Sequence, residues 1–143
     1  MSRKPRPSKS LRVHESEKTQ IDHKLGKNMD YYHIWCDLNG EANDIEFAQA
    51  VRSYLDHLAG KNLVSGYRIT RRKLGFGPEN LGEFHIIIET DGLPQLEAAF
   101  QQVARRAGTT EQLHQSVFEK VRGVRFGLYR DFPDSIREVP PKV

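Results

Sequence analysis

The side chains best suited to chemistry in this sequence lie on the less apolar side of two alternating runs. Tyr31-Tyr32-His33-Ile34-Trp35-Cys36-Asp37-Leu38 puts Tyr32, Ile34, Cys36 and Leu38 in one row and His33, Trp35 and Asp37 in the other. Glu83-Phe84-His85-Ile86-Ile87-Ile88-Glu89 repeats the pattern, with Glu83, His85 and Glu89 opposite Phe84, Ile86 and Ile88. Strand side chains alternate faces with period two, so two such strands in one sheet bring both histidines to a shared face. An imidazole titrates near neutral pH and serves as general acid, general base or metal ligand. His33 and His85 are therefore the candidate catalytic, proton-transfer pair. The competing use is structural: a histidine bonded to Asp37, Glu89 or a partner subunit.

Arg68 and Arg72 flank Thr70 at the spacing of one strand face. Their planar forks match carboxylates, which makes them candidate anchors for an anionic ligand. Intersubunit salt bridges to Glu83 or Glu89 are the competing use. Trp35 and Tyr129 can wall a planar ligand, and plain packing explains them as well. The expected ligand-binding set is thus Arg68, Arg72, Trp35, Tyr129, Glu83, Glu89 and Asp37. Imidazole with Glu83 or Glu89 would suit Zn, Fe or Mn. No compact spacing such as H-x-x-x-H supports that, and His57 and His114 fall on separate helical segments, so neither metal nor organic cofactor is expected. Gly75-Phe76-Gly77-Pro78 lacks the phosphate-loop spacing and opens no helix. Cys36, in the apolar row, reads as inert packing.

The elements that must position these groups follow from periodicity. Strand one is expected over 31–38, ended by Asn39-Gly40. Asp44 is the expected N-cap of a helix over 44–59, whose Phe47, Val51, Tyr54, Leu55 and Leu58 have helical spacing. Strand two is expected over 66–73 and strand three over 83–90, joined by the glycine-rich hairpin 75–82. Pro94 suits the first turn of a second helix, with a stripe from Leu96 through Phe100 and Val103 to Ala107 and a stop at Gly108. Thr109 and Gln112 resemble a capping box for a short third helix reaching 121. Strand four is expected over 123–130, with Val124, Phe126 and Leu128 in phase. The order β-α-β-β-α-(α)-β is the ferredoxin-like arrangement: α+β, with a four-stranded antiparallel sheet in the order 4-1-3-2.

The bulk numbers bound the reading. A chain of 143 residues fits one domain, with a core large enough to need no staples. Its net charge of +3 is uneven. Residues 1–28 carry eight Lys/Arg against three Asp/Glu, and the remainder carries 14 against 16. The first 28 residues read as a basic solvated tail, with Met29 an alternative start, and 133–143 as an extended C-terminal tail around the domain 29–132. No run is long and apolar enough to cross a bilayer, and the basic N-terminus lacks a signal-peptide h-region. A single cysteine excludes an internal disulfide and fits a reducing, cytoplasmic location.

The second sheet face has three fates. Left solvated, it exposes Trp35 and Ile87 without reason. As an RNA platform it would need stacked aromatics on strand three, where Glu83 and Glu89 would instead repel phosphate. Packed against the same face of a second subunit, it uses its aromatics as contact and leaves its polar groups lining a cavity. Symmetric homodimers are the commonest oligomers. The motifs Tyr-His-Ile-Trp-Cys-Asp-Leu, Gly-Tyr-Arg-Ile-Thr-Arg-Arg-Lys-Leu-Gly-Phe-Gly, Leu-Gly-Glu-Phe-His-Ile-Ile-Ile-Glu and Leu-Tyr-Arg-Asp-Phe-Pro-Asp resemble a small bacterial family of uncharacterised proteins. Over residues 29–135 the chain is similar in fold to dimeric α/β-barrel proteins. That resemblance implies a homodimer and a cavity over the sheet; it assigns no catalytic residue, because that fold serves many functions. The expectation is a homodimer joined through its sheet faces, binding a small anionic or aromatic ligand and neither nucleic acid nor membrane. Its function would be cofactor-independent acid–base chemistry, or ligand binding without turnover.

Overall fold

The computed structural model describes residues 28–137. Strand β1 is Met29–Leu38, helix α1 Asp44–Gly60, β2 Gly66–Arg71, β3 Phe84–Asp91, α2 Leu93–Ala104, α3 Gly108–Phe118 and β4 Val121–Arg130, followed by a 3-10 turn at Ser135–Arg137. The strands form one antiparallel sheet in the order β2-β3-β1-β4, so the fold is ferredoxin-like α+β. Residues 1–27 of the expected basic tail and 138–143 of the C-terminal tail lie outside the described residues.

The helices form a layer on one side of the sheet. From α1, Phe47, Val51, Leu55 and Leu58 are buried against Cys36 of β1 and Phe84, Ile86 and Ile88 of β3. Phe47 meets Phe84 edge-to-face at 5.1 Å between centroids. The apolar row anticipated in each of these strands is the helix-facing row. Its period-two alternation makes β3 read buried, half-buried, buried along its whole length.

Several boundaries move for local reasons. Asn43, not Asp44, caps α1: its side-chain oxygen accepts from the amides of Ile45 at 2.9 Å and Glu46 at 3.1 Å. That leaves Asp44 in the first turn, where its charge favours the helix dipole and its carboxylate pairs with Arg71 at 2.9 Å. Helix α2 stops at Ala104, short of Ala107, because Arg106 turns to φ 50°. Gly108 does not end a helix; it opens α3, and no side chain caps that helix, so Thr109 and Gln112 form no capping box. Instead, buried Thr110 ties α3 to α1 through a 2.8 Å hydrogen bond to His57 Nε2. Strand β4 begins two residues early, and its register slips opposite Trp35–Asp37. Gly123, at φ 60°, sits in this irregular stretch, where a bulge needs a left-handed residue.

The sequence's least expected ion pair closes the end of the sheet. Asp30, almost wholly buried, accepts from Nε and Nη2 of Arg130, its direct partner on β4. The helix layer stops short of the outer strand, and β4 packs mainly on β1. Phe126 and Leu128, on the helix-facing row of β4, therefore stay more than half exposed.

Candidate functional site

The face of the sheet away from the helices gathers four rings. His33 pairs across β1–β3 with Ile87, and Trp35 pairs with His85, so the histidines stand two residues apart on a diagonal. Diagonal neighbours on one face are within reach of ring side chains. His33 Nδ1 and His85 Nε2 lie 2.7 Å apart, with the rings nearly parallel at 23°. Trp35 stacks on His85 at 4.6 Å and on His33 at 5.4 Å. Tyr129, from β4, meets His33 edge-on at 4.7 Å.

A glycine makes room for this cluster. Gly127 is the β4 partner of His33, and a β-carbon there would stand 3.1 Å from the Tyr129 ring and 3.2 Å from the Trp35 indole. The period-two pattern of β4 marks Val124, Phe126 and Leu128 and gives no weight to the glycine between them, so only the register reveals it.

At 2.7 Å one histidine nitrogen donates and the other accepts, so a single proton lies between them. Burial pushes the pKa of His33 down. Burial, then the neighbouring His33, pushes that of His85 down. The neutral pair is thus favoured: each ring keeps one N–H, and two imidazolium charges this close would repel. Thr70 steadies the site from β2 by donating to the carbonyl of His85 at 2.8 Å.

The remaining expected site residues divide. Arg68 is exposed on the same face, opposite Ile87, with no hydrogen bond or ion pair among the described residues. Arg72 turns its Nη2 to the carbonyls of Pro78 at 2.8 Å and Leu81 at 2.7 Å, clasping the β2–β3 loop. Gly77 is what admits that guanidinium, since a β-carbon there would collide with it. Glu83 pairs with Arg71, which also lies over the Phe84 ring. Asp37 accepts from the amide of Glu83 at 2.9 Å, so it secures the start of β3 and reaches neither histidine. Glu89 lies over Gly66 at the other end of the face. The cluster is therefore His33, His85, Trp35 and Tyr129, with Arg68 beside it, while Arg72, Glu83 and Asp37 hold the frame.

Spaces exist on both sides of the sheet. Over this face lies an open recess of about 290 Å³ between Trp35, His85, Thr70 and the clasped loop. The larger space, about 430 Å³, lies on the helix side, among residues the sequence pattern marks simply as core. The cavity expected over the sheet is thus only a shallow recess in the single chain. Among the described residues no cluster of three or more histidine, cysteine or acidic side chains could hold a metal, and no helix is long and apolar enough to cross a membrane.

With the fold and cluster in view, residues 29–140 match the Family of unknown function (DUF6614). The chain belongs to that family. No curated protein matches it. Among solved structures it is similar to a dimeric ferredoxin-like protein of unknown function from Jannaschia sp. CCS1, at 13% identity and TM-score 0.54, covering 71% of this chain and 97% of that one. It is also similar to a dimeric ferredoxin-like protein of unknown function from Thermobifida fusca YX, at 11% identity and TM-score 0.50, covering 73% and 92%. At such identities the likeness concerns the fold. Membership in DUF6614 and the ferredoxin-like fold are thus secure, and what the DUF6614 chain does must be argued from its own side chains.

Proposed function

We propose that this protein is a homodimer closed through the sheet face that carries Trp35. We further propose that its His33–His85 pair moves a proton on a small aromatic or carboxylate-bearing molecule held there, without an organic cofactor. The observation that carries this reading is the 2.7 Å contact between the two imidazoles beneath the Trp35 indole. A neutral pair can take a proton at one nitrogen and pass one on at another, which is what general acid–base catalysis near neutral pH requires. Arg68 has an uncommitted fork on the same face to meet a carboxylate. Ile87, Trp35 and Tyr129 supply contact area for a second subunit. The dimeric state of the Jannaschia and Thermobifida proteins supports pairing in this fold. The lone buried thiol of Cys36 supports a reducing, cytoplasmic setting.

A second reading, ligand binding without turnover, is favoured by one observation. Among the described residues no carboxylate bonds to either imidazole, so neither is oriented as an activated base usually is.

Native mass spectrometry of the protein purified without chelator tests both readings. The expected result is a dimer retaining a small organic molecule, with Ile87→Glu giving a monomer and Arg68→Ala losing the molecule. A bare monomer overturns the dimer. A dimer whose retained compound is bound but left unconverted by the wild type and by His85→Asn alike overturns the enzyme reading in favour of the binder.

A further inference from the structure

The space on the helix side of the sheet is independent of the histidine cluster. It reaches from an open mouth between α2, α3 and β4 down to the fully buried Cys36 and Phe47. Its volume of about 430 Å³ falls within the range of small-molecule sites. It exists because the helices cover β3 and the inner side of β1 but reach β4 only around Val121 and Val124. The mouth is rimmed by Phe100, Phe118 and Phe126, which are 47%, 60% and 62% exposed.

Among the described residues no Lys, Arg, Asp or Glu lines this space. Its hydrogen-bonding side chains are Tyr32, Tyr54 and His114. Tyr54 and His114 are ring neighbours at 5.5 Å, across α1 and α3. Tyr32, from β1, is held between Phe100 at 5.2 Å and Phe126 at 5.8 Å. Loss of solvent pushes both phenols up, that of Tyr54 to about 12, with Tyr32 and Glu111 adding smaller pushes on Tyr54. None of the three side chains makes a hydrogen bond to another described residue, and none of their polar atoms is sealed from solvent, so each can meet a molecule in the space. Apolar walls with a few convergent, unpaired polar groups are what a small-molecule site looks like.

We propose that this space binds a small, largely apolar, uncharged molecule through an oxygen atom that Tyr54, Tyr32 and His114 contact. An ion is disfavoured, because among the described residues no charged side chain lines the space to offset its desolvation. A flat or chain-like molecule packs against this apolar lining between α2, α3 and β4. The phenols donate to its oxygen, and His114 can donate or accept according to tautomer.

The test is fluorescence titration of the full chain with N-phenyl-1-naphthylamine, followed by displacement with 1-naphthol and with naphthalene. One saturable site per chain is expected. Val103→Trp, which fills the space from α2, abolishes it while circular dichroism and melting stay near wild type. Should that variant fold poorly, Val117→Phe fills the space from α3. Tyr54→Phe weakens 1-naphthol about five- to tenfold, the effect of one hydrogen bond, and leaves naphthalene unchanged. Ile87→Glu, on the opposite sheet face, leaves the titration unchanged whether or not it breaks the dimer. Binding that survives both filling variants, or that is lost in Ile87→Glu, overturns the proposal. So does a wild-type protein that takes up no probe and becomes monomeric in Val103→Trp, because the mouth would then belong to a second copy.

Discussion

His33 and His85 touch although neither is the other's cross-strand partner. His33 pairs with Ile87 and His85 with Trp35, and the 2.7 Å contact runs along the diagonal between the two rungs. Trp35 stacks on His85 and so limits the directions that ring can take. The proton between the nitrogens is thus fixed by register, and a slip of one residue would send the two histidines to opposite faces.

The pair should make stability depend on pH in a defined direction. Both imidazoles have pKa values below the usual 6.5 or so in the folded protein, through burial and, for His85, also through His33. Between the folded and unfolded values the unfolded chain binds more protons, so acid favours unfolding. The stability tied to the neutral pair is complete above about pH 6.5 and is lost as pH falls through the folded values. Urea midpoints between pH 7.5 and pH 5 should fall more steeply for wild type than for the double variant His33→Asn/His85→Asn. Parallel curves would show that the pair gains nothing from being neutral.

Arg130→Met should be among the costlier single changes near the surface. It leaves the Asp30 carboxylate buried without its bidentate partner. Breaking a buried pair typically costs about 3–5 kcal/mol, and partial exposure of the Arg130 side chain lowers the expectation to about 2–3 kcal/mol. Adding Asp30→Asn should recover part of that, because the stranded charge is then gone. Chemical denaturation of both variants reads the difference, and an additive loss in the double variant would refute the account.

Element order and sheet order were legible in the sequence because period-two rows and helical stripes are long and clean here. The row Phe84/Ile86/Ile88 alone orients β3. Positions set by long-range geometry were not legible. Asp30 falls just before the run expected as strand one, and nothing near it in sequence names a partner until β4 brings Arg130 beside it. Arg72 has the right parity for a ligand anchor, but the loop that follows it folds back onto its guanidinium. Tyr54 was visible as one more member of a core stripe. That it lines an open space depends on how far the helix layer extends toward β4, which no local pattern encodes.

Cys36 should be unreactive in the folded protein. Burial, and to a lesser degree the Asp37 charge, push its thiol up to about 11, and its side chain is almost wholly enclosed. The thiolate is the reactive form, so at pH 8 both access and ionisation oppose attack. Ellman's reagent should label no thiol per native chain and one per chain in guanidinium. Fast labelling of the native protein would mean that the helix-side space admits charged reagents down to its floor, contrary to its apolar lining.

Two glycines should respond differently to the same added methyl. At Gly82 a β-carbon would fall 2.4 Å from the carbonyl carbon of Cys36, and backbone in the middle of a sheet cannot withdraw. Gly82→Ala should therefore cost about 3 kcal/mol or prevent folding, the upper end of overpacking penalties. At Gly127 the obstacles are the rings of Trp35 and Tyr129, at 3.1–3.4 Å, which can yield by a few tenths of an ångström. Gly127→Ala should fold, lose about 1 kcal/mol, and displace the indole from His85. A neighbouring imidazolium quenches tryptophan, so acidification through the lowered folded values should dim Trp35 emission in wild type and dim it less in Gly127→Ala. Equal pH responses would mean that the indole's place over His85 does not depend on the vacancy at Gly127.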